Sequence, residues 1–234
     1  MPSDLDLLRT ELVVLWQVDS RHRINGQPEL VIAAATDGMA AAVSSDVPDT
    51  VAESLLDLVG RAVPSDLAHP PRVLYECREL LNDPELTISG GPSYVLPATL
   101  PRDENIDVLS SDSPAASQVA GLRPANWEPA EWAELVSGGL GAPWAMVLDG
   151  DRVVSICHTP RLSVSGAEAG TWTDPAFRGR GYAAATTIAW ADLLAPIRLQ
   201  LFYSTSADNR SSQRVAERLG LRCIGWLWKL IRPS

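Results

Sequence analysis

The residues whose types and spacing best suit chemistry lie in one stretch, Thr173-Asp-Pro-Ala-Phe-Arg-Gly-Arg-Gly-Tyr-Ala183. Arginine and glycine alternate there, at Arg178, Gly179, Arg180 and Gly181. The chemistry this suits is anion binding. Glycines permit a tight concave loop whose amides face one point, and arginines add charge. A helix opening at the loop would add the free N–H groups of its first turn and the positive end of its dipole. A phosphate or pyrophosphate is the expected guest.

The flanking elements must place that loop at a strand-to-helix corner. Residues 167–173 read as a strand and 183–194 as a helix. A further strand is expected at 198–203. A second helix follows, in which Ser212, Val215, Ala216 and Leu219 share a face and Gly220 is the stop. The run 223–231 reads as a closing strand. Upstream, 143–148 and 152–158 flank Asp149-Gly150, a strong hairpin signal.

The phosphate site is not a P-loop, which needs G-x-x-x-x-G-K-[ST]. It is not a dinucleotide fingerprint either, because Ala184 stands at the third glycine and 198–203 carries no acid. The pattern is Arg178-x-x-Gly181-x-Ala183 after a strand and Asp174-Pro175. It resembles the acyl-CoA-binding loop of the GCN5-related N-acetyltransferases, the GNAT superfamily. Asn209, opening the second helix, and Leu219-Gly220-Leu221, closing it, match that family too. The resemblance covers residues 104–234. The chain is also similar to a group of bacterial acetyltransferase-like proteins, through Ser155/Cys157/Arg161, Glu168-Ala-Gly170 and the run from Tyr203 to Asn209.

The resemblance implies an α+β / α/β fold: a GNAT-type mixed central sheet flanked by helices at 104–234, with a smaller N-terminal α+β domain at 1–103. It implies an acetyl-CoA-dependent N-acetyltransferase that passes the acetyl group directly to an amine, on a small molecule or a protein, without a metal. Thr171, Trp172 and Thr173 would meet the pantetheine through backbone atoms, with an N–H near Trp172 as oxyanion donor. Arg178, Gly179, Arg180, Gly181, Tyr182 and Ala183 would hold the pyrophosphate. Asn209 and Ser212 would line the far side.

The acid and base are open in the sequence. Glu168 is the only acid on the central strand, and half-burial would raise its pKa toward useful values. It is either the base or a structural carboxylate bonded to Arg161 or an amide. His158 is the second candidate base. Many family members carry a tyrosine seven residues after the helix-opening Asn, where this chain has Ala216. Tyr203, Ser204, Ser206 or water would then protonate the thiolate. The alternative is a non-catalytic acyl-CoA-binding or assembly module. Cys157 as acyl acceptor is a weaker idea, since buried strand cysteines are usually inert.

In the first half, 11–18, 30–36, 39–44 and 93–96 read as strands, and 49–62 and 72–81 as helices. Asp37-Gly38 is a turn, and Gly90-Gly91-Pro92 is expected ahead of the last strand. This half would pack on the second or close over the acceptor. Residues 97–104 form the expected link. A strand at 105–110 and helices at 114–122 and 126–137 would open the second half.

The net charge of −10 argues against general binding to nucleic acid or an anionic membrane, and favours a cationic acceptor. Three scattered cysteines, no metal-ligand spacing and no signal-peptide pattern suit a cytoplasmic protein. A homodimer is an admissible assembly. Of the 8 tryptophans, Trp127, Trp132 and Trp190 fall on apolar helix faces and Trp226 and Trp228 alternate in the closing strand, so core packing is the expected role.

Overall fold

The computed structural model describes residues 2–100, 105–197 and 199–233. Of the expected link, residues 101–104 lie outside the described residues, as does Arg198 at the start of an expected strand. The chain folds as two compact units. The first comprises Met1–Val95, Ser204–Arg210 and Arg222–Ser234, the second Leu96–Tyr203 and Ser211–Leu221.

The first unit opens with helix α1, Asp4–Trp16, where a strand at 11–18 is expected from the sequence. The apolar run Leu12-Val-Val-Leu-Trp16 suits a buried strand or a helix equally. Ser3 decides between them. Its hydroxyl accepts the Asp6 N–H at 3.2 Å and the Asp6 carboxylate accepts the Ser3 N–H at 3.4 Å, a capping box that starts the helix upstream. Leu5, Leu8 and Leu12 then fall on one buried face.

The sheet of this unit contains β1 (Arg23–Ile24), β2 (Leu30–Ala35), β3 (Gly38–Ser44), β4 (Thr87–Val95) and β10 (Arg222–Ile231), in the order β1-β3-β2-β10-β4. β1 runs parallel to β3 and the other pairs are antiparallel. Helices α2 (Asp49–Arg61) and α3 (Arg72–Leu81) lie where periodicity predicts them. Leu55, Val59, Leu74 and Cys77 join Leu30, Ile32 and Trp228 in one core. α1 also packs on β2, β3 and β10. Both faces of β2 are therefore covered, and every residue of it is buried.

β4 is longer than expected, because Gly90-Gly91-Pro92 lies inside it rather than in a turn before it. Both glycines make room for neighbours. A Cβ on Gly90 would stand 2.3 Å from the Trp228 ring, and one on Gly91 would stand 1.9 Å from the Thr205 carbonyl oxygen. Trp226 and Trp228, two apart on β10, stack at 5.2 Å with 16° between their planes. The strand expected at 223–231 is thus present, and it belongs to the first unit, between β2 and β4.

The second unit holds all or nearly all of β5 (Leu109–Ser110), α4 (Pro129–Val136), β6 (Gly141–Asp149), β7 (Arg152–Leu162), β8 (Gly166–Thr173), α5 (Tyr182–Leu194), β9 (Gln200–Ser204) and α6 (Arg210–Arg218). Its strand order is β9-β8-β7-β6-β5, with β8 and β9 parallel and the rest antiparallel. The strand expected at 105–110 shrinks to β5, and the helix expected at 114–122 to a 3-10 turn, Ala116–Gly121. Local bonds compete with regular structure here: the Ser110 hydroxyl donates to Asp112, and the Ser113 hydroxyl accepts the Ala115 N–H. Trp132, Leu135, Trp144, Met146 and Ile156 form the core beneath α4. α5 packs on β6, β7 and β8. Its buried Trp190 donates to the Thr159 hydroxyl at 2.9 Å. Among the described residues, no helix is long and apolar enough to cross a membrane.

Candidate functional site

Asp174 turns the chain out of β8. Its carboxylate accepts the Ala176 N–H at 2.9 Å and pairs with Arg152 at 3.0 Å. The Pro175–Phe177 turn that follows presents the Phe177 ring to two cations, Arg180 at 4.8 Å and Arg152 at 5.7 Å. Arg178 donates its Nε back to the Thr173 carbonyl at 3.4 Å. Gly179 and Gly181 take φ of 79° and 86°, in the left-handed region that favours glycine. Gly181 is the N-cap of α5, and no side chain caps that helix. The amides of its first turn are not taken up by a cap.

One residue at this corner carries no signal in the sequence. The guanidinium of Arg218, on α6, lies against Gly181: a Cβ there would stand 2.8 Å from its Nη2. The packing of α6 brings it in from far along the chain, outside any motif.

Beside the corner the sheet forks. β8 and β9 pair at Gly166↔Gln200, Ala167↔Leu201 and Glu168↔Phe202. Pairing ends there, although β8 continues to Thr173 and β9 to Ser204. The other edge of β8 stays bonded to β7 from His158↔Gly170 to Ser155↔Thr173. Thr171, Trp172 and Thr173 therefore border the gap. Tyr203 lies beyond the last pair on β9, and its hydroxyl is 3.4 Å from Thr171 Oγ1 and 2.6 Å from Ser212 Oγ. Burial raises the pKa of Tyr203, with a smaller push from the charge of Glu168, so the hydroxyl keeps its proton at neutral pH.

Strand alternation puts Glu168, Gly170 and Trp172 on one face of β8, and Thr171 and Thr173 on the other. The first is the face of α4, where Trp172 joins the core containing Trp132. His158 sits over Gly170, with its ring 5.0 Å from that of Trp127 and nearly perpendicular. The second is the face of α5, where Cys157 and Thr187 share a hydrogen bond and the Ser155 and Thr173 hydroxyls are 2.8 Å apart. Glu168 and Tyr203 thus flank the point of the fork on opposite faces.

Glu168 is buried. Arg161, opposite it on β7, donates to the Pro160 carbonyl at 3.0 Å. Burial holds the His158 imidazole down at about 4, and its Nδ1 has no hydrogen-bond partner. Burial also raises the Cys157 thiol far above its ordinary range, which makes it a poor nucleophile. Asn209 lies in the Ser204–Arg210 stretch of the first unit, and its N–H donates to the Ser206 carbonyl at 3.1 Å. A cleft of about 590 Å³ opens by the corner, lined among others by Leu122, Arg123, Asn126, Arg152, Trp172 and Asp174.

A family model described as an acetyltransferase (GNAT) domain matches residues 76–222, more than half of the chain. The chain belongs to the GNAT family. Among solved structures, a GNAT-family acetyltransferase from Colwellia psychrerythraea is similar at 14% identity and a TM-score of 0.51, over 100% of this chain and 98% of that one. A Drosophila protein is similar at 15% identity and a TM-score of 0.50, over 84% and 72%. A GCN5-related N-acetyltransferase from Kribbella flavida is similar at 14% identity and a TM-score of 0.45, over 87% and 89%. No curated protein matches. The fold is the GNAT one, a mixed sheet flanked by helices. In this GNAT chain Ala216 is fully buried where the resemblance calls for a tyrosine. Tyr203 reaches the same helix from β9 instead.

Proposed function

We propose that this GNAT protein transfers the acetyl group of acetyl-CoA directly to an amine. The observation that carries the reading is the fork: β8 and β9 part at Glu168/Phe202, and β8 leads from there into an uncapped helix N-terminus flanked by arginines. The residues present fit the co-substrate. Bound acetyl-CoA supplies the thioester to be attacked. The corner from Arg178 to Ala183 holds its pyrophosphate through first-turn amides and guanidinium groups. The free edge of Thr171, Trp172 and Thr173 aligns the pantetheine, and an N–H near Trp172 donates to the developing oxyanion. Ser212 lines the far side of the gap.

Glu168, on the face of α4, takes the proton of the attacking amine, and the cleft beside Trp172 receives the rest of the acceptor. Tyr203, on the opposite face, holds the proton that the departing thiolate needs. The net charge of −10 suits an acceptor that is cationic in solution, on a small molecule or a protein rather than a nucleic acid or membrane. The three cysteines are free, which supports a cytoplasmic setting. Residues 104–234 carry the chemistry in this proposal, and 1–103 have no assigned part in it.

Ala216 favours a second reading, an acyl-CoA-binding module without efficient transfer. A panel of small amines and lysine peptides, assayed for release of the CoA thiol from acetyl-CoA, separates the two. Release with any acceptor supports transfer. Binding of CoA without release by any of them supports the module.

A further inference from the structure

Lys229 is the only lysine among the 19 Lys and Arg residues of the chain. A guanidinium keeps its charge, so Lys229 supplies the one ε-amine. It sits in the first unit on β10, a strand bonded along both edges, between Val31 of β2 and Ser89 of β4. Strand alternation puts it with Gly225 and Leu227 on the face of α1, where Leu8 lies against Gly225. Its stem is partly buried there. Among the described residues its ammonium makes no ion pair and no hydrogen bond, and its Nζ keeps contact with solvent. Burial lowers its pKa, and no neighbouring charge offsets that. Ser89 stands directly opposite, also partly buried, and its hydroxyl has no partner among the described residues.

An ammonium without a counterion, drawn partly out of water, releases its proton more readily than an exposed one and then offers a lone pair. We propose that Lys229 is a covalent modification site, at which the ε-amine takes an acyl group directly from an acyl-CoA thioester in solution. Nζ attacks the thioester carbonyl carbon. The C–N bond forms, the C–S bond breaks, and the proton given up by the amine goes to the departing thiolate. The products are an amide and the CoA thiol. Side chains of directly opposed strand residues start about 5 Å apart, so the Ser89 hydroxyl can donate to the carbonyl oxygen as that oxygen gains charge. The amide is neutral, so acylation also removes a charge for which the fold provides no partner. The inference draws on the proposed function only for the choice of donor, and the reaction needs no CoA site.

The test is mass spectrometry of the full chain after incubation with isotopically labelled acetyl-CoA at neutral pH, with Nα-acetyl-lysine amide in the same tube as the reference amine. Lys229 should gain the label about tenfold faster than the reference, through its larger fraction of neutral amine. Unfolding in guanidinium chloride should abolish that advantage, because the burial that creates it is gone. Ser89→Ala should slow the labelling about fivefold, the size of one hydrogen bond. Lys229→Arg should take no label at that position. A Lys229 rate no greater than that of the reference amine would overturn the inference. So would an advantage that survives unfolding, or an unchanged rate in Ser89→Ala. Equal melting temperatures would verify that Ser89→Ala folds. Labelling of Lys229 at the expected rate, in a protein that transfers acetyl to no amine of the panel, would overturn the proposed transfer and leave this inference standing.

Discussion

The two units differ in what they leave unpaired. In the first, β10 is bonded along one edge to β2 and along the other to β4, from Arg222↔Val95 to Ile231↔Thr87. In the second, β8 is bonded to β7 along one edge, but to β9 at only Gly166, Ala167 and Glu168. α2 and α3 of the first unit and α5 of the second all begin without a side-chain cap, but α2 and α3 follow prolines whereas α5 begins at Gly181, with Arg218 against it. A strand paired along both edges uses its polar main chain internally. The fork leaves main-chain donors and acceptors of β8 unpaired with β9 beyond Glu168. The proposed site rests on that incomplete strand pairing rather than on a cluster of reactive side chains.

The sharpest way to break that contrast is Gly181→Val. A β-branched residue is strained at φ 86° and would press on Arg218, so the turn and its cations should separate. CoA affinity should fall on the order of a hundredfold, the size of one or two charge-assisted bonds. Calorimetry reads the loss, and unchanged affinity would remove the corner from the site.

Glu168→Gln probes the point of the fork. It keeps size and polarity while deleting the titrating group. Turnover should drop by about a hundredfold, with acetyl-CoA affinity near wild type and the acidic limb of the pH–rate profile displaced. A lower melting temperature with near-normal turnover would instead mark Glu168 as a structural carboxylate.

Gly90→Ala tests the closed unit. The new methyl would collide with Trp228, so stability should fall by about 1–3 kcal/mol in denaturant unfolding, while CoA affinity holds. Lost affinity in a folded Gly90→Ala protein would show that the contrast between the units has been drawn too sharply.

The smallest effect concerns His158. Its folded-state pKa, about 4, lies below the usual 6.5, so the unfolded chain takes up the proton first as pH falls. The stability it contributes is complete above the usual value and is lost as pH falls toward the folded one. The melting temperature of the wild type should therefore decline relative to His158→Gln between about pH 7 and about pH 4.5, on the order of 5 °C.

The corner and the elements around it are legible because a tight turn from strand into helix needs left-handed backbone at fixed positions, and Gly179 and Gly181 supply it. The hairpin at Asp149-Gly150 was legible for the same reason. Misreadings arose where the deciding group lay elsewhere. The run Leu12–Trp16 carries no sign of its state, which Ser3 and Asp6 set from upstream. Gly90-Gly91 looked like a turn because glycine is common there, yet Trp228 and Thr205 demand glycine inside a strand. Arg218 could not be found at all, since only folding brings it to Gly181. The fork is equally silent, because a main-chain edge left unpaired has no residue type of its own.

The stacked tryptophans of β10 have an optical consequence. Two indoles at 5.2 Å couple their electronic transitions, and any skew between their in-plane transition moments gives a signed couplet in far-ultraviolet circular dichroism. Trp228 is further anchored by donating its Nε1 to the Leu67 carbonyl at 3.3 Å, so the couplet depends on the packing of that loop as well as on the strand. Trp127 and Trp132 in the second unit meet edge to face at 73°, a different mutual orientation from the near-parallel stack. The difference spectrum between the wild type and Trp228→Phe isolates the contribution of the first unit, whose integrity can then be followed without a label while ligands are titrated into the second.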